Sequence, residues 1–449
     1  MGGRYKAYPE YKDSGAGWLG EIPQHWNLVD GKRVFSNERS ASMEGDEQLA
    51  ASQKYGVIPQ SLMMEKTESK VMLALKGTTS FRHVEKDDFV ISLRSFEGGI
   101  EHSAYKGCVS PAYTVLRAEK QIYADFFRYF FKSTPYVIAL QSTTDSLRDG
   151  KSISYEQFGY IPLVLPTIKE QRDIASFLSY ETAKIDTLIE KQQQLIQLLK
   201  EKRQAVISHA VTKGLNPNAK MRDSGVEWLG EVPEHWEVSK LGFLTNEVTV
   251  GIVVTPAKYY VDSGIPCLRS LNVRAGYLQK ENFVYISEMS NALLSKSKLA
   301  AGDVVVVRTG QPGTASLISD DLDGCNCIDL IIIRKSPKLM SKFLELQLNS
   351  EFAKIQISAG SDGAIQQHFN VEMAKSLRIF VPLLQEQQEI VSHLEYVLDR
   401  IDELQKISEN AVTFLQERRT ALISAAVTGK IDVRDWVPPT PDHRNEEAA

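Results

Sequence analysis

The chain has 449 residues, 43% of them hydrophobic and 24% charged, with a formal net charge of −5. These proportions exclude disorder on a large scale, and the acidic balance disfavours a general polyanion binder without excluding positive charge gathered on one face. Four cysteines in so long a chain exclude a disulfide framework, and Cys325-Asn-Cys327 lacks the second ligand pair that a zinc site needs.

Met1–Asp13 is polar, with no apolar core of a secretory signal, so a cytoplasmic protein is expected. Asp13-Ser-Gly-Ala-Gly-Trp-Leu-Gly-Glu-Ile-Pro-Gln-His-Trp26 opens the first of two related halves. It returns as Asp223-Ser-Gly-Val-Glu-Trp-Leu-Gly-Glu-Val-Pro-Glu-His-Trp236, an offset of 210. Residues 1–166 mix short apolar runs with Gly, Ser and Pro, the pattern of an α/β domain. Phe89–Leu93 and Tyr113–Leu116 read as strands, and Ala124–Leu140 as helix broken at Pro135. A long helix is predicted over 167–213 within a segment running to residue 217. Residues 218–382 repeat the first domain: Val304–Val307 answers Phe89–Leu93, Leu330–Ile333 answers Tyr113–Leu116, and Gly324-Cys325 answers Gly107-Cys108. The apolar runs are strand-sized and far short of a membrane span. A second long helix follows over 383–429 in a segment ending at residue 430, and residues 431–449, rich in proline, read as a flexible tail.

Both helices begin after a proline, in Leu165-Pro-Thr-Ile-Lys-Glu-Gln171 and Val381-Pro-Leu-Leu-Gln-Glu-Gln387, an offset of 216. Both end near glycine, Gly214 or Gly429. Spacings of four and three connect Ile174, Leu178, Glu181, Ile185, Leu188, Gln192, Leu195, Leu199, Lys202 and Val206. The same offset carries them onto Ile390, Leu394, Val397, Ile401, Leu404, Ser408, Ala411, Leu415, Arg418 and Leu422. This is a heptad seam with matched polar interruptions, and it predicts an antiparallel coiled coil related by an internal pseudo-two-fold axis. The expected fold class is two α/β (α+β) globular domains separated by two long antiparallel helices.

Motifs of catalysis are missing. Thr428-Gly-Lys-Ile431 lacks the first glycine and the hydroxyl of a phosphate loop, and no dinucleotide fingerprint, H-E-x-x-H or nucleophile elbow occurs. The Asp145…Asp149-Gly-Lys151 cluster reads as solvated loop charge. No catalytic residue, metal site or cofactor of its own is therefore expected.

If the scaffold repeats, recognition belongs where the halves differ. Divergent loops follow the matched strands: Arg94 and Ser95 begin one, and Arg308, Thr309 and Gln311 lie in the other. Polar loops also precede the helices, with Arg148, Lys151 and Ser152 in one half and Ser361, Gln366, Gln367 and His368 in the other. Arg82, and Arg269, Asn272 and Arg274, complete the candidates. Such side chains read base edges, while Ser, Gly and backbone amides suit phosphates.

The Trp-Leu-Gly-Glu-[IV]-Pro-x-His-Trp element, the Pro-x-x-x-Glu-Gln helix starts and the Arg-x-Ala-[VL]-Ile-Ser segments at Arg203 and Arg419 resemble the specificity subunit of type I restriction–modification systems. The resemblance runs from about residue 11 to residue 433. It implies two target-recognition domains on double-stranded DNA, each reading half of a split site, with the helix pair setting their spacing. It also implies partners: two methyltransferase subunits, which bind S-adenosylmethionine, and restriction/translocase subunits. The expected function is non-catalytic recognition of an asymmetric bipartite sequence. Half-site centres one turn apart would lie about 34–36 Å from each other. A self-sufficient endonuclease or methyltransferase with a cryptic site, and a coiled-coil scaffold without DNA contact, are the rival readings.

Overall fold

Four consecutive valines cannot alternate between core and solvent, so Val304–Val307 demands apolar neighbours on both faces of its sheet. A computed structural model describes residues 5–67, 80–92, 99–143, 153–225, 230–359 and 369–438. In it all four valines are buried, Val304 and Val306 in one core, Val305 and Val307 in another. The chain divides into two compact units, residues 1–192 with 410–449, and residues 193–409. The division falls within the long helices, so each unit holds one globular part and a segment of both helices.

The principal elements of the first unit are β1 (Tyr11–Asp13), β2 (Glu21–Pro23), β3 (Asn27–Asp30), β4 (Phe35–Glu38), β5 (Phe89–Ile91), β6 (Ile100–His102) and β7 (Thr114–Ala118). They are followed by α1 (Ala124–Phe130), α2 (Thr134–Ser142), β8 (Pro162–Leu165) and the long helix α3 (Ile168–Lys213), which continues into the second unit. The central sheet has the order β4-β7-β5-β6 and is antiparallel throughout. Phe89 and Ile91 point to one core and Val90 to another, the period-2 division of a strand covered on both faces. The predicted helix over 124–140 divides into α1 and α2, with Pro135 in the first turn of α2, where its missing N–H costs no bond. Aromatic rings fill the larger core: Phe89 meets Phe131 edge to face at 5.1 Å and Phe35 meets Phe127 at 5.3 Å.

The second unit repeats the plan with β9 (Met221–Asp223), β10 (Glu231–Pro233), β11 (Glu237–Lys240), β12 (Val248–Val250), β13 (Val304–Val307), β14 (Ala315–Leu317) and β15 (Leu330–Ile333). Helices α4 (Ser341–Leu348) and α5 (Glu351–Ala359), strand β16 (Arg378–Val381) and the long helix α6 (Leu384–Val427) complete it. Its sheet order β12-β15-β13-β14 reproduces that of the first unit strand for strand. The two expected strand correspondences hold. The matched dipeptides diverge in conformation: Gly107-Cys108 lies in a strand paired with Arg82–Val84, whereas Gly324 is a left-handed turn.

Helices α3 and α6 run antiparallel. In the first unit Asp186 pairs with Arg419 at 2.8 Å, and in the second Arg203 pairs with Asp402. The offset of 216 that relates the halves carries Asp186 onto Asp402 and Arg203 onto Arg419, so one ion pair is used twice. The seam is narrower than its heptads suggest. Ile174, Leu178, Ile185, Leu199, Ile390, Leu394, Ile401 and Leu422 are buried, and Val206 and Leu415 half-buried. Leu188, Leu195 and Leu404, however, are 49%, 40% and 50% exposed. Toward its ends each helix packs on a globular core as well as on the other helix. There Ile207, Val211, Ile423 and Val427, off the heptad positions, are buried too. Toward the middle of each helix the third wall is lost, and a straight helix drifts off a 3.5-residue repeat by about 20° per heptad.

The tail reading needs correction. Ile431 and Val433 are buried, the Asp432 N–H donates to the Lys6 carbonyl at 2.8 Å, and Trp436 packs on Phe177 and Tyr180, each at 5.4 Å. Proline content suggested an unfixed end, but the Ile431-x-Val433 alternation and the aromatic that follows supply apolar area to bury. The closing segment therefore bears on the melting temperature of the chain. Truncation after Lys430 should lower it by several degrees, the loss of about 2–5 kcal/mol from two buried aliphatic side chains and an aromatic, read by calorimetry.

Candidate nucleic-acid interface

The repeated amino-terminal element is a socket. In the first unit the Glu170 carboxylate, buried at the start of α3, accepts from His25 Nε2 at 2.7 Å, Trp26 Nε1 at 3.3 Å and Thr167 Oγ1 at 2.9 Å. In the second, Glu386 at the start of α6 accepts from His235 Nε2 at 2.9 Å and Trp236 Nε1 at 3.1 Å. The neighbouring glutamines tie each helix to its domain. Gln171 accepts from the Tyr123 N–H and donates to the Pro166 carbonyl. Gln387 accepts from Met340 N–H and donates to the carbonyls of Lys338 and Pro382. The strand before each helix is held as well, β8 pairing with β3 and β16 with β11. The pattern Pro-x-x-x-Glu-Gln is therefore the lock between helix and sheet.

The closing ends of the helices complete the same sockets. Gly429 has φ +75°, and a Cβ there would stand 2.3 Å from Pro23 Cδ. Gly214 has φ +76°, with its missing Cβ 3.3 Å from the Trp236 ring. Handedness favours glycine at both positions, and at Gly429 space demands it as well.

A second ion-pair scaffold braces one end of each sheet. Arg117 bridges Glu38 at 2.8 Å and Asp88 at 2.7 Å; Arg334 bridges Asp303 at 2.5 Å and Glu247 at 3.8 Å. Asp88 and Asp303 immediately precede β5 and β13, so the divergent loops leave the opposite strand ends. There Arg308 is half-buried, its Nη1 on Asp329 at 2.5 Å and its Nε donating to the Phe369 carbonyl at 3.3 Å. Thr309 is half-buried behind it. Gln311 is exposed in the turn between Gly310 and Gly313, both at φ +89°.

The remaining described candidates differ in availability. Asn272 is wholly buried: it accepts from Arg269 N–H and donates to the carbonyls of Gln279 at 3.1 Å and Glu281 at 2.9 Å. Its amide closes the loop that carries its neighbours, and expecting it to read a base edge is corrected here; a composition argument cannot see such local bonding. Arg269 and Arg274 are half-buried, donating to the Asn282 carbonyl at 2.9 Å and to Gln279 Oε1 at 3.0 Å. Arg82 is half-buried in a strand opposite Val109. Arg94, Ser95, Arg148, Lys151, Ser152, Ser361, Gln366, Gln367 and His368 lie outside the described residues. Arg308, Thr309 and Gln311 thus share one turn, and Arg269 and Arg274 one loop.

Sequence reasoning passed over His83, which is 1% exposed between Asp46 Oδ2 at 2.7 Å and Glu85 Oε1 at 2.9 Å. Burial alone would lower its pKa, but hydrogen bonds and charge from Asp46 and Glu85 outweigh burial and raise it above 6.5. The only sequence signal is the alternation His83-x-Glu85, which does not announce Asp46.

No family model matches the chain. By sequence it is similar to the EcoKI specificity subunit of a type I restriction enzyme from Escherichia coli strain K12, with 26% identity over 383 residues covering 80% of this chain and 78% of that one. It is likewise similar to the MjaVIII specificity subunit of Methanocaldococcus jannaschii, 24% identical over 431 residues, 92% of this chain and 95% of that one. Its fold matches a chain solved in work on complex assembly and conformational transition of the type I R-M system, with a TM-score of 0.71, 15% identity, and 90% and 98% of the two chains covered. It also matches the HsdS subunit of Thermoanaerobacter tengcongensis, with a TM-score of 0.54, 15% identity and 91% and 98% coverage. Two α/β domains with two long antiparallel helices are thus the fold of type I specificity subunits, and this chain resembles that family along almost its whole length.

Two predictions follow from the buried charges. Burial would push the Glu170 carboxyl up, but hydrogen bonds from His25, Thr167 and Trp26 hold it below 4.5. A depressed folded pKa contributes stability above the unfolded pKa that is lost as pH falls through the folded one. Glu170→Gln should therefore destabilise the first unit by about 1–3 kcal/mol at neutral pH and flatten its acid limb below about pH 4.5, seen in denaturant melts. For His83 the sign is opposite: a raised folded pKa gives stability that is complete below pH 6.5 and lost as pH rises through the folded value. Melts between pH 6 and pH 9 should show that loss in the native chain and not in His83→Gln.

Proposed function

We propose that the chain is the DNA-recognition subunit of a type I restriction–modification complex, in which each unit reads one half of an asymmetric bipartite site in double-stranded DNA. The observation that carries this reading is that the scaffold repeats while the exposed turns do not. Socket, sheet order, bracing arginine and helix ion pair occur twice, yet the turn with Arg308, Thr309 and Gln311 has no counterpart in sequence. A duplicated frame with divergent tips suits two different half-sites. The likeness to specificity subunits supports it independently.

In this reading the chain is non-catalytic. Its partners are two methyltransferase subunits, which supply S-adenosylmethionine, and restriction/translocase subunits. The exposed apolar positions Leu188, Leu195, Leu404 and Phe414 on the long helices support helix-borne docking of such subunits, since apolar side chains in water are what a partner would cover. The helix pair would set the spacing of the half-sites.

The test is a complex assembled with its methyltransferase subunits. Exchanging residues 240–380 for those of a related chain should change one half of the methylated sequence, read by methylome sequencing; a change in both halves defeats the two-reader model. Within that half, Gln311→Ala should relax selectivity at one base position by about 1–3 kcal/mol, the worth of a bidentate base contact, with the other half-site unaffected. Cleavage or methylation of DNA by the purified chain alone, given magnesium and S-adenosylmethionine, would establish the rival enzyme reading.

A further inference from the structure

The acidic net charge conceals a concavity of the opposite sign. Within the first unit the hairpin of strands Leu49–Ser52 and Gly56–Pro59 and the helix Gln60–Thr67 stand over α1, α3 and the end of α6, enclosing a cleft of about 690 Å³. Five cationic side chains line it, Lys54, Lys66, Arg128, Lys132 and Arg419, against two carboxylates, Glu101 and Asp186. Both carboxylates are already paired: Glu101 with Lys132 at 2.5 Å and Asp186 with Arg419 at 2.8 Å.

That leaves Lys54 and Lys66 as the cleft's uncompensated charge, with Arg128 beside them. Among the described residues no carboxylate lies within ion-pairing distance of either lysine, and both ammonium groups gather on the Tyr55 ring, at 5.1 Å and 5.4 Å from its centre. Arg128 meets Asp125 at 3.3 Å in an exposed i,i+3 pair, a contact that contributes little. Three cations from three elements converging on one hollow repel one another, an arrangement that an anion relieves.

We propose that this cleft receives the sugar–phosphate backbone of one strand of duplex DNA, with Lys54, Lys66 and Arg128 on successive phosphates and the Tyr55 hydroxyl beside them. The inference rests on the DNA-recognition reading above and assigns a positioning surface that its base-reading turns do not include. An acidic protein segment is the other polyanion such a hollow could hold, but a protein interface core needs apolar anchors. Of the larger aliphatic side chains lining the cleft, Val57, Ile58, Ile100 and Ile423 are buried in the domain, and Leu62 is half-buried. Charge and tyrosine hydroxyl at the surface with aliphatic groups withdrawn is the chemistry of phosphate contact, which fixes register without reading sequence.

The complex with methyltransferase subunits should be prepared with Lys54→Gln, Lys66→Gln and Arg128→Gln together. Its binding to a cognate duplex and to an unrelated duplex is then titrated against salt. Affinity should fall at least about tenfold at low salt for both duplexes alike, and the slope of log K on log salt should be shallower by roughly one per cation removed. The single variant Lys66→Gln, on an exposed helix, should lose about one unit of slope and guards against misfolding of the triple variant. Unchanged slope and affinity overturn the proposal. So does a triple variant that melts normally but no longer assembles with the methyltransferase subunits, which would make the cleft a protein dock. A native complex that cannot tell cognate from unrelated DNA is a different failure: it removes the recognition reading itself.

Discussion

Glu170 and Glu386 each sit where a long helix leaves its sheet, and each is held by the imidazole and indole of a His-Trp pair from the same half. Everything else in the architecture is built on that junction. A charge-assisted bond to a carboxylate, buried at Glu170 and half-buried at Glu386, is directional and roughly twice as strong as a neutral one, so it sets the angle at which the helix departs. The glutamine that follows ties the same turn to the domain backbone, and the glycine closing a long helix fits against the same tryptophan. An error at this joint would be carried along the full rise of the helix, about 60–70 Å at ~1.5 Å per residue.

The sheets divide labour between their two ends. At one end a nearly buried aspartate and an arginine brace the strands in both units, Asp88 with Arg117 and Asp303 with Arg334. At the other end of β13, Arg308 is aimed by Asp329 and by the Phe369 carbonyl while the turn beyond it stays exposed. A stiff end and a variable end on one strand allow the tips to change without disturbing the core. The cleft beside α3 shows how an acidic chain can still meet a polyanion. Its carboxylates there are neutralised by intramolecular partners, and what remains uncancelled is positive.

Much of the frame was legible because duplication turns one sequence into two observations. The matched strands were readable as apolar runs, the helix starts from proline, and the antiparallel pairing from a seam shared at a constant offset. The exchange of Asp186 and Arg203 for Asp402 and Arg419 lies in that offset as well, although only the helix contacts reveal that these residues pair. The seam itself was over-extended at Leu188, Leu195 and Leu404. Heptad spacing reports which face of a helix is apolar, not how far the partner follows it. Asn272 was misread for the converse reason: its residue type suits a base edge, but its amide is consumed by three backbone groups of its own loop.

What the amino-acid order determined by itself is periodicity and repetition: strands buried on both faces, two capped helices with apolar stripes, and a doubled plan with divergent loops. These follow from local physics, since side-chain alternation and helix ends are set by neighbours a few residues away. Tertiary structure alone decided which charges meet. His83 with Asp46, the closing segment at Ile431–Trp436 with Lys6 and Phe177, and the convergence of Lys54 and Lys66 with Arg128 all join groups far apart in the chain. Electrostatic energy depends on distance in space and on the water left between charges, and neither quantity is written in sequence separation.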